Sequence, residues 1–427
     1  KTMILAALNN IMKGSNKYIC LFRPRRFGKT TATNIISSYY SKGCDSRELF
    51  SSCKISTDES FEPNLNKFNV IKIAVNSEYR NTMNKSQLIE SLTRNVRDEF
   101  IEQSPQIEFS PDYSVANCIL KVYDKTEKRF IILLDEYDVL VRKNVGGILF
   151  TKYLDFFNGL FKSDTLRPAI ALVYLTGILP IVRDKVQSKL NNFDEYTILE
   201  SGKRSEFTGF TTEEVQRLCQ QYDINFEECK RWYDGYGFVW YENSKKRECE
   251  VYNPESVVKT MLSHKFGNYW NKTSSYEVIS DRLEQNFAGA KDDVIRMITG
   301  ESVDVNITTS KNTLNSFYSK NDMLTYLIHL GYLAYNEENQ ICRIPNKEVL
   351  QEWLNVINTT SDYSVTDSII KGSKEFLAET LRGNQETVAK TLDESHIHVT
   401  SNRSYNNEAA LQSAIFLSYI YALNKYT

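Results

Sequence analysis

A chain of 427 residues, 41% hydrophobic and 25% charged, has the composition of an ordinary soluble protein and room for two or three folded units of roughly 100–200 residues. Its net charge of −2 gives no global electrostatic drive toward nucleic acid, so any such contact needs a local basic groove. No apolar run reaches the roughly 18–20 residues of a membrane span, and eight scattered cysteines with four histidines give neither zinc nor disulfide spacing.

Reduced thiols in a cytoplasmic compartment, or a nuclear one in a eukaryote, are therefore expected, with no membrane partner. Residues 2 to 13 set Ile4, Leu5, Leu8, Ile11 and Met12 at helical spacing, with Gly14 as a stop. That helix is already under way at Lys1, as if residues precede it.

Residues 18 to 36, YICLFRPRRFGKTTATNII, read as a short apolar strand, a tight basic loop and a helix opening at Gly28-Lys29-Thr30-Thr31. A phosphate-binding loop needs this context. Successive backbone N–H groups and the helix N-terminus face the phosphates, the lysine reaches the outer ones, and the Thr30 hydroxyl holds Mg²⁺. The pattern G-x-x-x-x-G-K-[ST] asks for glycine at position 23, where this chain has Arg23. G-K-T alone recurs by chance, and the basic residues around it can equally form a solvated turn.

NVIKIAV at 69 to 75 reads as a buried strand, followed by helical patterns at 84 to 103 and 114 to 125 that Ser-Pro pairs separate. KRFIILLDEYD at 128 to 138 is the second strong signal. Its five apolar residues, Phe130 to Leu134, make a central parallel strand. Asp135 and Glu136 follow at the end where open α/β sheets place their ligands. Asp135 can hold Mg²⁺, and Glu136 can polarise a water for attack on a γ-phosphate. The same pair can also simply cap a turn; its partnership with the G-K-T upstream favours chemistry. A third buried strand, AIALVYLTG at 169 to 177, ends in Thr176, the place of a γ-phosphate sensor. YTILE at 196 to 200 reads as one more strand. Strands alternating with helices imply a parallel sheet.

After about 205 the texture changes. Thr211 and Glu214 form a capping box at the start of a helix. Turns and aromatics in CKRWYDGYGF and VYNPESVVKTML suggest a small packed core. Residues 321 to 357 read helix, turn, hairpin, helix, an order compatible with a winged-helix module whose few basic residues suit packing at least as well as DNA. From about 362 the pattern is helical, and it stops at Thr427 in mid-pattern, as if continued.

Taken in order, RPRRFGKT, FIILLDEYD, GFTTEEV, RWYDGYGF, VYNP, YWNKTS, GYL and RIPNKEV resemble the AAA-ATPase-like family, whose members commonly carry a C-terminal PD-(D/E)XK nuclease domain. The resemblance runs to about residue 357 and more loosely to the end. The family's loop usually reads R-P-R-R-F-G-K-[ST], which makes Arg23 a family feature. The resemblance implies an α/β fold: a P-loop NTPase parallel sheet (AAA/STAND-like) at 1–205, with an extra strand between the loop strand and the acidic strand. A mostly helical lid at 206–320, a winged-helix-like connector at 321–360 and the truncated start of a nuclease-like domain at 361–427 would follow. In that last piece Glu408 would sit on a metal-supporting helix, while the nuclease's Asp and Glu-x-Lys strands are absent.

Carried over by position, Arg23, Arg25, Arg26, Phe27, Gly28, Lys29, Thr30 and Thr31 would bind the phosphates of ATP. Thr30 and Asp135 would support Mg²⁺, Glu136 would be the base and Thr176 the sensor. Arg183 or Arg231 would stabilise charge. The implied function is an ATPase whose cycle moves the lid and regulates an attached nuclease or partner, with self-association as an option. A switch or scaffold that hardly hydrolyses ATP is the alternative, since Arg23 beside Pro24 stiffens the loop and adds positive charge. A further one is an ATP-gated nuclease acting on DNA.

Overall fold

The computed structural model describes residues 1–14, 16–180, 192–200, 202, 205–270, 287, 289–307, 319–357, 364–399 and 408–425. Continuous apolar runs can face water on neither side, and three of them fill the centre of one sheet. Tyr18–Phe22 (β1), Phe130–Asp135 (β3) and Ile170–Gly177 (β4) are buried at every position. With Asn69–Ala74 (β2) and Asp194–Tyr196 (β5) they form a five-stranded sheet in the order β2-β3-β4-β1-β5, every pair parallel. In that order β4 is the expected extra strand between the loop strand β1 and the acidic strand β3.

Side chains alternate across the strands, so each face needs its own cover. Ile19 and Leu21 of β1 and Ile131 and Leu133 of β3 pack under helices Ile4–Ile11 (α1) and Lys29–Tyr40 (α2), through Leu5, Leu8, Ile36 and Tyr40. Cys20, Phe22, Ile132 and Leu134 face the opposite layer, helices Leu88–Gln103, Val115–Thr126 and Gly147–Phe161.

Two strand expectations need correction. β2 lies at the sheet edge with Lys72 exposed, so it is not buried on both faces. YTILE contributes only Tyr196 to β5. Thr197 ends the strand because its hydroxyl accepts the amides of Leu199 (3.1 Å) and Glu200 (3.0 Å), closing a turn.

The region expected to be a mostly helical lid contains a sheet. Tyr236–Glu242 (β7) and Lys245–Tyr252 (β8) form a hairpin, and Phe210–Thr211 (β6) adds to β8. Asn243 (φ 50°) and Ser244 (φ 63°) both take left-handed conformations, which a two-residue type I′ connection requires. Asn-Ser is a weaker signal for it than Asn-Gly, and the hairpin went unread. Helices Thr212–Tyr222, Phe226–Tyr233 and Pro254–Ser263 pack around Trp232, Tyr233 and Tyr252, the aromatic core expected. The capping box of Thr211 and Glu214 is present.

Helix Lys320–Leu330, hairpin Ala334–Asn336 (β10) and Ile341–Arg343 (β11), and helix Lys347–Ile357 follow in the order read, and Val303–Asp304 (β9) adds a third strand beside β11. Gly331 ends the first of these helices at φ 88°, and a Cβ there would lie 2.7 Å from Pro24 Cβ. The basic loop is thus packed directly on this segment. Helices Ser364–Leu381, Gln385–Val399, Glu408–Ser418 and Ile420–Lys425 follow, Glu408 opening the third. No described helix is long and apolar enough to cross a membrane.

Candidate functional site

A cleft of about 980 Å³ opens at the C-terminal ends of β1 and β3. The loop Arg25–Thr31, Glu136, Arg142 and Ile178 line one side, and Phe207–Phe210, Pro254, Val258 and Leu262 the other. Gly28 turns the chain into α2 at φ 77°, and the first turn of α2 carries no acid. Its free N–H groups and the exposed Thr30 and Thr31 leave a positive helix end at the cleft.

Lys29 is buried beneath this turn. Its Nζ donates to the carbonyls of Arg23 (2.9 Å) and Pro24 (2.7 Å), and no described carboxylate forms an ion pair with it. Burial pushes its pKa down to about 8, partly offset by Asp138, Asp135 and Glu136. A buried ammonium held by neutral carbonyls is a ready anion site.

Across β3 and β4, the Thr176 hydroxyl donates to Asp135 Oδ1 at 2.5 Å, both side chains buried. Glu136 takes a left-handed backbone (φ 54°), and its Oε2 lies 3.3 Å from Arg142 Nη2. Arg142 Nε reaches Asp138 Oδ2 at 3.1 Å. That same oxygen accepts the amides of Ile178 and Leu179, each at 3.0 Å, and so joins the ends of β3 and β4. Burial works against the Arg142 charge, but Asp138 and Glu136 outweigh it and its pKa is raised.

The structure sorts the basic loop residues. Arg23 lines no part of the cleft. It is fully buried, and its Nη1 donates to the carbonyls of Phe22 (2.8 Å), Tyr196 (3.2 Å) and Thr197 (2.8 Å). The guanidinium stands 4.7 Å from the Phe238 ring, and burial lowers its pKa to about 10. Expected at the phosphates, Arg23 instead ties the loop strand to β5 and the β7–β8 hairpin through these carbonyls and the Phe238 ring. Arg25 faces the cleft, its pKa lowered by burial and by Arg142. Arg26, at φ 68°, pairs with Glu255 (3.0 Å) and donates to the Tyr269 carbonyl. Phe27 is buried edge-to-face against Tyr236 (5.1 Å), and its carbonyl accepts the Gly209 amide (3.0 Å).

Tyr269 and Trp270 donate their amides to Glu348 (2.8 and 3.0 Å), which also accepts from Ser256. Burial raises the Glu348 pKa to about 7. Arg183 lies outside the described residues. Arg231 is half-exposed, pairs with Glu228 at 2.6 Å and lines no part of the cleft. Sequence reading passed over Arg142, Asp138 and Glu348. The signal for the first two was present, since Asp138 and Arg142 stand four apart immediately after the acidic pair.

Among the described residues no group of three or more His, Cys, Asp or Glu could hold a metal alone. The Thr30 hydroxyl and Asp135 carboxylate are hard oxygen donors, which fits Mg²⁺, an ion that takes most of its ligands from phosphate and water.

A family model described as "Predicted AAA-ATPase" matches residues 1–187, a span that includes the loop, β3 and β4. Similar solved structures include the Aeropyrum pernix ORC2 protein in ADPNP–ADP complexes, at 11% identity and TM-score 0.34, covering 83% of this chain and 92% of that one. The Aeropyrum pernix ORC1 protein in complex with DNA follows at 12% identity and TM-score 0.27, covering 84% and 91%. Cdc6p from Pyrobaculum aerophilum stands at 11% and 0.24, covering 83% and 92%. No curated protein matches the chain. The family match and the strand–loop–helix of β1, the basic loop and α2 fall on the same segment of the chain.

Proposed function

We propose that this chain is an ATPase in which nucleotide binding at the P-loop shifts residues 206–357 and so regulates a partner. The observation that carries the reading is Lys29: a buried cation with which no described carboxylate forms an ion pair, beside the Asp135–Thr176 pair at the end of the central strands. Lys29 and the first amides of α2 hold the β- and γ-phosphates. Thr30 and Asp135 are the residues that would hold Mg²⁺, which neutralises phosphate charge when bound. Thr176 fixes the orientation of Asp135, and Glu136 takes a proton from the attacking water. Loop movement passes to the rest of the chain through the Phe27–Gly209 bond and the Arg26 contacts to Glu255 and Tyr269.

Titration calorimetry and turnover of Lys29→Ala and Glu136→Gln test this. The first substitution should abolish measurable ATP affinity. The second should keep binding and lower turnover by about 10²–10⁴. Wild-type values in both variants would end the reading. A binding-only switch is the second reading, favoured by the engagement of Glu136 with Arg142; rapid ADP formation in a single turnover excludes it. For the partner, a nuclease is one candidate resting on the resemblance alone. DNA contact through the β10–β11 hairpin is disfavoured, because its tip carries Glu337 and Glu338 and Glu338 pairs with Lys246 of β8 at 2.7 Å.

A further inference from the structure

Arg142 belongs to a short helix, Val139–Arg142, that starts directly beyond the acidic end of β3. Its side chain is held at one edge and engaged at the other. Nε is fixed by Asp138, which is fully buried and itself locked by two backbone amides. Nη2 meets Glu136, and the guanidinium lines the same cleft as Lys29 and Arg25. Arg25 and Arg80 also line the cleft, while three other arginines are engaged elsewhere. Arg23 is sealed behind the loop, Arg26 is bound to Glu255 and Tyr269, and Arg231 pairs with Glu228 away from the cleft.

We infer that Arg142 is a positioning residue by which the chain reads the γ-phosphate in cis: without nucleotide it restrains Glu136, and with ATP the γ-phosphate competes for its guanidinium and frees the carboxylate. The inference rests on the ATP reading above and deepens it. The physics is a competition for one cation. A single carboxylate at 3.3 Å, on a side chain that is 35% exposed, is a weak holder. A terminal phosphate carries more charge and more acceptor oxygens, and arginine's planar fork matches it. ADP lacks that group, so ADP leaves the Arg142–Glu136 pair in place. The Asp138 anchor keeps the guanidinium near the cleft in both states, so only its outer edge changes partner.

The alternative is that Arg142 merely neutralises buried Asp138. The two differ in nucleotide discrimination. Calorimetric titrations with Mg²⁺ and either adenylyl imidodiphosphate or ADP give an affinity ratio for wild type, Arg142→Gln and Arg142→Lys. The ratio should fall about tenfold in Arg142→Gln, with ADP affinity within about twofold of wild type. Arg142→Lys, which keeps the charge, should restore about half of the loss on a logarithmic scale. If the Gln variant does not fold, the Lys variant alone is decisive, with a drop of about threefold expected. An unchanged ratio, or equal weakening of both ligands, overturns the inference. Wild-type protein that binds neither ligand removes the nucleotide-site reading, and this inference falls with it.

Discussion

Arg23→Ala separates a structural arginine from a phosphate ligand. In the folded chain its Nη1 makes short bonds to the Phe22 and Thr197 carbonyls and a longer one to Tyr196. Each short charge-assisted bond contributes about 1.5–3 kcal/mol. The two buried methylenes that alanine lacks, Cγ and Cδ, add about 0.8 kcal/mol each. Against this stands the burial of the charge. Lowering the pKa from 12.5 to about 10 corresponds to about 3 kcal/mol disfavouring the folded state at neutral pH, at 1.36 kcal/mol per unit. The substitution relieves that penalty, so the net loss should be about 2–5 kcal/mol. For a unit the size of the sheet region this lowers its melting transition by about 5–15 °C. Scanning calorimetry reads the transition, and titration with adenylyl imidodiphosphate below it reads the site. Affinity should stay within about threefold of wild type, because no Arg23 atom lines the cleft. A normal melting point with affinity lost a hundredfold would refute the placement and make Arg23 a phosphate ligand.

Asp138→Ala should destabilise the sheet end by about 3–5 kcal/mol, since it strands the buried Arg142 charge and the amides of Ile178 and Leu179; denaturant titration gives the loss, and hydrogen exchange should show reduced protection at those amides. Glu348 gives a pH signature. Its folded pKa is raised to about 7 from 4.5, so the folded state favours the protonated acid, and stability should fall as pH rises from about 4.5 through 7 and level off above. Melting curves at pH 5 and pH 8 should show that slope, and Glu348→Gln should flatten it. Gly209→Ala should detach residues 206–270 from the loop. Its φ is 78° and the new Cβ would lie 2.0 Å from Val251 Cγ1. Faster proteolysis of this region, with the sheet intact, is the expected readout.

The sequence by itself determined the sheet and its ligand end. Phe130 to Leu134 and Ala169 to Leu175 are too apolar for any place but the centre of a parallel sheet, and Gly28-Lys29-Thr30 after an apolar strand sets the turn that opens α2. These are local properties, written in residue type and spacing. The capping box at Thr211 and the helix–hairpin–helix order after Lys320 were legible for the same reason.

Only the tertiary structure decided where the charged side chains go. Arg23, Arg25 and Arg26 are near neighbours of one kind in sequence, yet one braces strands, one faces the cleft and one holds Tyr269 and Glu255. Each destination depends on acceptors some 170 to 245 residues away, Thr197 for Arg23 and Tyr269 for Arg26, and no local pattern encodes such distances. The β7–β8 hairpin was hidden because its Asn-Ser turn is weak and its strands carry charges on their exposed face. Burial explains the rest. Lys29, Arg142 and Glu348 carry shifted charges only because the fold removes water from around them, and that is a property of packing rather than of order along the chain.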